Sequence, residues 1–256
     1  MRFSIYIIDW RIIMAFALNW DAAGERLYET GVDHGVLYQY NSTKSHDTNY
    51  YNGVAWNGLT QVTQSPSGAE ANDIYADNIK YLSLRSAEQF GATVEAYTYP
   101  EEFAECDGSA AVATGVYISQ QARKKFGISY RTRVGNDENG DSYGYKLHLV
   151  YSATASPSEK GYQTINDSPE AITFSWELST EPVQIGTIGG KEYKPVAHIE
   201  IDSTKADATK LAAFEQILYG TPASTSGGND GVDPYMPLPA DVVSYFTTAS
   251  GDDESE

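Results

Sequence analysis

The stretch from Phe126 to Glu181 limits the fold more than any other part of the chain. It holds three runs that alternate strictly at a two-residue period. Phe126, Ile128, Tyr130 and Thr132 share one side, opposite Gly127, Ser129, Arg131 and Arg133. Tyr143, Tyr145, Leu147, Leu149 and Tyr151 oppose Gly144, Lys146, His148 and Val150. Ile172, Phe174, Trp176 and Leu178 oppose Thr173, Ser175, Glu177 and Ser179. A strand sends successive side chains to opposite faces, so each run writes an apolar side and a wet side. Between the first two runs, Asn139-Gly140 supplies the positive φ that a reversal needs. A longer loop rich in Ser, Pro and Gly, Ser152 to Ser168, joins the second run to the third. The expectation is an antiparallel sheet with one buried face.

The flanking sequence reads as what covers that sheet. Val32 to Tyr40 predicts a strand, Asn41 to Asn49 a polar tip, and Val54 to Val62 a partner strand broken by Asn57-Gly58. Gln64 to Asn78 has no clear period and reads as a long loop, the kind that carries interactions in compact β proteins. Tyr81 to Leu84 and Ala92 to Tyr99 restore strand character, and Pro100-Glu101-Glu102 opens a short helix. Gly186, Gly189 and Gly190 mark a hairpin leading into Val196 to Ile201. Leu211, Phe214 and Leu218 then fall on one helical stripe, with Thr204 and Asp207 as a capping-box start and Gly220 as a stop. The predicted fold class is mainly β, an antiparallel sandwich or barrel with one flanking helix and long loops.

This organisation implies one sandwich domain over residues 14–221. Residues 222–256 read as a flexible linker, a short apolar docking segment (Ala240 to Phe246) and an acidic tail. Residues 1–13 are apolar but broken by Asp9 and Arg11, too short in each run for a membrane span. They read as a non-native or flexible extension, with the functional chain starting near Met14.

Charge excludes one class of function. With 17 basic and 35 acidic residues the net charge is −18, and gripping nucleic acid needs clustered Lys and Arg. The lone Cys106 permits no intrachain disulfide.

No local pattern carries catalysis, a cofactor or a metal. Gly186 to Lys191 lacks phosphate-loop spacing, and Asn136 to Asp141 does not set oxygen ligands at calcium-loop positions. His34, His46, His148 and His198 are far apart; three of them sit in strand patterns and read as structural. Asn41-Ser42-Thr43 and Asn166-Asp167-Ser168 match the glycosylation sequon, a short and unspecific pattern.

Several blocks, taken in order, resemble the major tail protein, or tail tube protein, of long non-contractile-tailed bacteriophages. They include Val54-Ala55-Trp56-Asn57-Gly58-Leu59, Pro66-Ser67-Gly68-Ala69-Glu70 and Tyr75-Ala76-Asp77-Asn78-Ile79-Lys80-Tyr81. Phe90-Gly91-Ala92-Thr93, Ala96 to Pro100, Phe103 to Gly108, Tyr143 to Lys146, Pro157 to Lys160 and Ile165 to Ala171 continue the series. The resemblance covers roughly Met14 to Phe246; the tip Asn41 to Asn49 and the region Ile185 to Lys191 depart from it. It implies a β-sandwich with a flanking helix, hexameric rings stacked into a tube, and passage of the genome without specific binding. It further implies contact with tape measure, tail terminator and distal tail proteins, a virion location, no membrane association and no enzymatic activity. The excess acid predicts a negative lumen. A second reading is a carbohydrate-binding or adhesion module using exposed aromatics, and a third is a glycosidase-like enzyme with two convergent carboxylates. Trp56 and Trp176 are expected in the core.

Overall fold

A computed structural model describes residues 18–41, 50–165, 167–168, 170–223 and 231–248. The extension at residues 1–13, His46, Asn166 and the acidic tail lie outside them. The first strands are β1 (Tyr28–Tyr40), β2 (Tyr50–Trp56) and β3 (Leu59–Gln64). Four short strands follow: β4 (Ser67–Gly68), β5 (Ala71–Ala76), β6 (Ile79–Arg85) and β7 (Glu88–Gln89). The chain then forms β8 (Gly91–Ala96), a 3₁₀ turn over Glu101–Glu105, and the hairpin β9 (Ala110–Ala113) to β10 (Val116–Ile118). Next come β11 (Phe126–Asn136), β12 (Gly140–Ala155) and β13 (Phe174–Thr180). A small hairpin, β14 (Gly186–Ile188) and β15 (Lys191–Tyr193), precedes β16 (His198–Asp202). Two helices close the described chain, α1 (Ala208–Tyr219) and α2 (Pro239–Thr247). The protein is mainly β and antiparallel, as expected, with a second helix beside the one predicted.

The main sheet runs β2-β1-β11-β12-β13-β8-β3, with β16 also paired to β12. Its two terminal strands, β2 and β3, are joined only by Asn57-Gly58. Strands at opposite ends of an ordered sheet can share a two-residue link only if the sheet curls until its edges meet. They do meet: a Cβ on Gly35 of β1 would stand 2.3 Å from Leu59 Cδ1 of β3. Val54 to Val62 is therefore two strands facing different neighbours, not one partner of β1.

Curling encloses a first core, centred on Leu37, Trp56, Val94, Phe103, Phe126, Ile128 and Trp176. The central strands also bury their other face. Val36, Tyr38, Leu147, Leu149 and Tyr151 pack beneath α1 and α2, against Leu211, Phe214, Leu218 and Val242. The expected single buried face is thereby corrected, and the ladder shows why. Ile128 pairs with Val150 and Tyr130 with His148, whereas Leu149 pairs with Ser129. Paired residues share a face, so the apolar side of β11 lies with the presumed wet side of β12. The helices dry the opposite side. Gly127 is small because a Cβ there would meet Met236 Cε at 2.3 Å.

β12 bends where it changes partners. Residues 146–150 pair with β16 and residues 153–155 with β13. Between them Ser152 takes φ 47°, the extra residue of a bulge. Its N–H donates to Tyr50 Oη at 3.0 Å, and the two hydroxyls lie 3.0 Å apart, so a buried tyrosine pins the bend.

The start of α1 also differs from expectation. Asp207 itself is the N-cap and accepts from the Lys210 N–H at 2.9 Å. Thr204 instead donates to Asp202 Oδ1 in the preceding turn. Gly220 ends the helix at φ 75°, where a Cβ would strike Val232 O at 2.7 Å. After Thr221, residues 231–238 of the expected linker are packed rather than loose. Gly53 and Met236 N–H groups donate across to Pro234 O and Tyr50 O, covering the outer edge of β2. The segment Ala240 to Phe246 lies within α2, with Phe246 against Phe214 at 5.4 Å between ring centres.

Candidate assembly surface

Residues 65–90 form an arm between β3 and β8, where a structureless loop is expected at its first half. Asp77 and Asn78, at φ 50° and 65°, make the two-residue reversal; Asx side chains tolerate that region better than others. β5 and β6 then pair from Ala71↔Arg85 to Ala76↔Ile79. Ser83 Oγ donates to Asp73 Oδ1 at 2.7 Å, and Lys80 Nζ lies 2.8 Å from the same carboxylate. At the root, β4 pairs with β7 and the Ser65 N–H donates to Gly91 O at 2.8 Å.

The arm buries almost nothing of itself. Tyr75 is 68% exposed, Tyr81 67% and Ile79 63%, with Leu84, Ile74 and Leu82 also open. A two-stranded ribbon alone in water is marginal, and clustered exposed apolar side chains mark an interaction site. The signal was present in the sequence as alternation on both sides of Asp77-Asn78, hidden by the Ser, Gly and Ala around it.

Exposed apolar side chains lie elsewhere too among the described residues. The β9–β10 hairpin presents Val112, Val116, Tyr117 and Ile118. Residues 156–165, after β12, present Tyr162 and Ile165 and are moored by Lys160 Nζ to Asp107 Oδ2 at 2.5 Å. β16 pairs with β12 alone among the described strands.

The polar groups resolve as fold-holding networks. Asn136 Oδ1 accepts from the Asn139 N–H at 2.6 Å and its amide donates to Gly24 O, so the calcium-like segment is a capped turn ending on Gly140 at φ 58°. Gly189 and Gly190, both at positive φ, turn the β14–β15 hairpin. His34 lies half-exposed against Asp33 and Arg131. Burial opposes ionisation of Asp33, but hydrogen bonds from Arg131, His34 and Arg133 hold its carboxyl below the usual range. Burial pushes the Cys106 thiol up to about 12, which leaves it unreactive as a thiolate. Trp56 and Trp176 are in the core, as expected, where they cannot stack on a sugar. Among the described residues no cluster of three His, Cys, Asp or Glu could hold a metal ion, and no helix is long and apolar enough to cross a membrane.

His148 and His198 form a pair that the sequence does not reveal, since 50 residues separate them on adjacent strands. His148 Nδ1 and His198 Nε2 are 3.1 Å apart, and His148 Nε2 is 3.0 Å from Thr132 Oγ1. Tyr130, His148, His198 and Phe90 stack with successive centre separations of 4.7, 5.4 and 4.6 Å. Burial lowers both imidazoles, His198 to about 4.

Comparison with protein families and with curated proteins finds no match for the chain.

Proposed function

We propose that the chain is a structural subunit that assembles into hexameric rings stacked as a phage tail tube, the conduit for genome ejection. The exposed apolar arm carries this reading: Tyr75, Ile79 and Tyr81 stand in water on a ribbon that gains stability only against another surface. The curled sheet with helices outside gives such an arm a rigid base, and a heterologous contact whose rotation closes makes a ring. The block resemblance along the chain supplies the particular assembly. In this reading other tail proteins cap and fill the tube, DNA passes without specific binding, and no catalysis is involved.

Negative-stain electron microscopy of the purified protein tests it. Rings or tubes are expected, and replacing Tyr75, Ile79 and Tyr81 together by serine should abolish them while leaving the melting temperature within a few degrees. A monodisperse monomer that binds glycans selectively would instead support a carbohydrate-binding module.

A further inference from the structure

We propose that the His148–His198 pair is a proton-operated latch on the two feet of the arm. Gln64 is the last residue of β3 before the arm, and Phe90 is the arm's last residue before β8. Both feet rest on the pair. Gln64 Nε2 lies 3.0 Å from Tyr130 Oη and 3.5 Å from His148 Nδ1; Phe90 stacks on the His198 ring at 4.6 Å and 11°.

The donor count explains why a proton matters. Gln64 spends one amide hydrogen on Tyr130 and directs the other to His148 Nδ1. His198 Nε2 faces that same Nδ1 at 3.1 Å, and since the amide nitrogen can only donate, Nδ1 is assigned as the acceptor and His198 Nε2 as the second donor. His148 must therefore offer Nδ1 as a lone pair and carry its own hydrogen on Nε2, toward Thr132. A proton on Nδ1 turns this convergence into three donors facing one another. Both the glutamine and the second imidazole must then withdraw, taking the feet with them.

The surrounding charges set where this happens. Glu200 Oε2 on β16 is 3.9 Å from His148 Nδ1, and Lys146 on β12 is paired with Glu29 of β1 and with Glu200. Tyr130 and Thr132 from β11, and Gln64 and Phe90 from the arm's feet, bring no charge. Glu200 is thus the counter-ion for a first proton, and the second imidazole has none of its own. Burial lowers both imidazoles, so the release falls on the acid side of a free imidazole.

The use of the latch rests on the arm being the assembly element, but the latch itself does not. It is tested on the full chain dispersed as single molecules, by hydrogen exchange corrected for intrinsic rates. Between pH 7.5 and 4.5, amides at residues 64–67 and 88–91 should lose protection at least tenfold while β11 and the first part of β12 keep theirs. Nitrogen-15 histidine spectra should show His148 Nδ1 unprotonated at pH 7.5 and titrating with the same midpoint as the release. The double variant His148→Gln, His198→Phe should remove the pH dependence. Unchanged foot protection once the rings are protonated, or a midpoint that matches neither ring, would overturn the latch. That result would leave the arm's role in tube assembly standing; loss of tubes without loss of the latch would do the reverse.

Discussion

Phe103 is the side chain on which most of the inner core converges. Its ring lies 4.6 Å from Trp56, 5.1 Å from Trp176 and 5.4 Å from Phe126, centre to centre. It comes from the 3₁₀ turn that Pro100 opens, an irregular element plugging a regular sheet. Truncation to alanine leaves a void bounded by stiff aromatic rings that cannot collapse into it, so Phe103→Ala should cost about 4 kcal/mol. Urea unfolding followed by tryptophan fluorescence measures this directly. A second residue-scale expectation concerns acid. Because His198 binds its proton near 4 when folded and near 6.5 when unfolded, the unfolded chain binds more protons between those values. Stability is therefore intact above pH 6.5 and falls as pH drops toward 4, by about 3 kcal/mol for this residue at full extent. Melting curves across that window, compared with His198→Phe, isolate the contribution; equal slopes in both proteins would contradict it.

At the level of elements, the arm and the sheet differ in how they hold together. The sheet is fixed by two cores; the arm is joined to it through Ser65–Gly91, the hydrogen-bonded Gln64 and the stacked Phe90. Replacing residues 67–88 by a short Gly-Ser link should spare the sheet's melting temperature and eliminate assembly, read by calorimetry and sedimentation. The same contrast explains what the sequence disclosed. β11, β12 and β13 were legible because alternation is a local code. What escaped was the pairing between elements: the register of β11 against β12 puts their apolar sides on opposite faces, and only the ladder decides that. Asp207 outcompeted Thr204 as helix cap because Thr204 was already held by Asp202 in the preceding turn. Tyr81 to Leu84 was read as a strand and lies in β6, but its partner β5 was obscured by small residues, and the histidine pair arises only when β16 docks on β12. No functional site residue was read from the sequence, and the surfaces that stand out belong to exposed apolar groups whose significance depends on burial.

For the molecule as a whole, charge and topology set the conditions of assembly. A chain of net charge −18 meeting copies of itself suffers repulsion that salt relieves. The screening length shrinks from about 30 Å at 0.01 M salt to about 8 Å at 0.15 M. The concentration needed for ring formation should therefore fall as salt rises over that range, checked by light scattering. Insensitivity to salt would mean that the carboxylates lie away from the contacts. Topology adds a matter of timing. β1 is among the first described segments to be made; β2 follows it at once on one edge, but its partner on the other edge is β11, with Tyr28 opposite Gly135. At about 5–20 residues per second, the ribosome needs on the order of 5–20 s to deliver that partner. For the second half of this interval, once residue 90 has been made, the arm's apolar side chains are already present and uncovered. On a polysome making many copies, the arm proposed to join subunits is thus exposed before the sheet that carries it can close, and slower translation would lengthen that exposure.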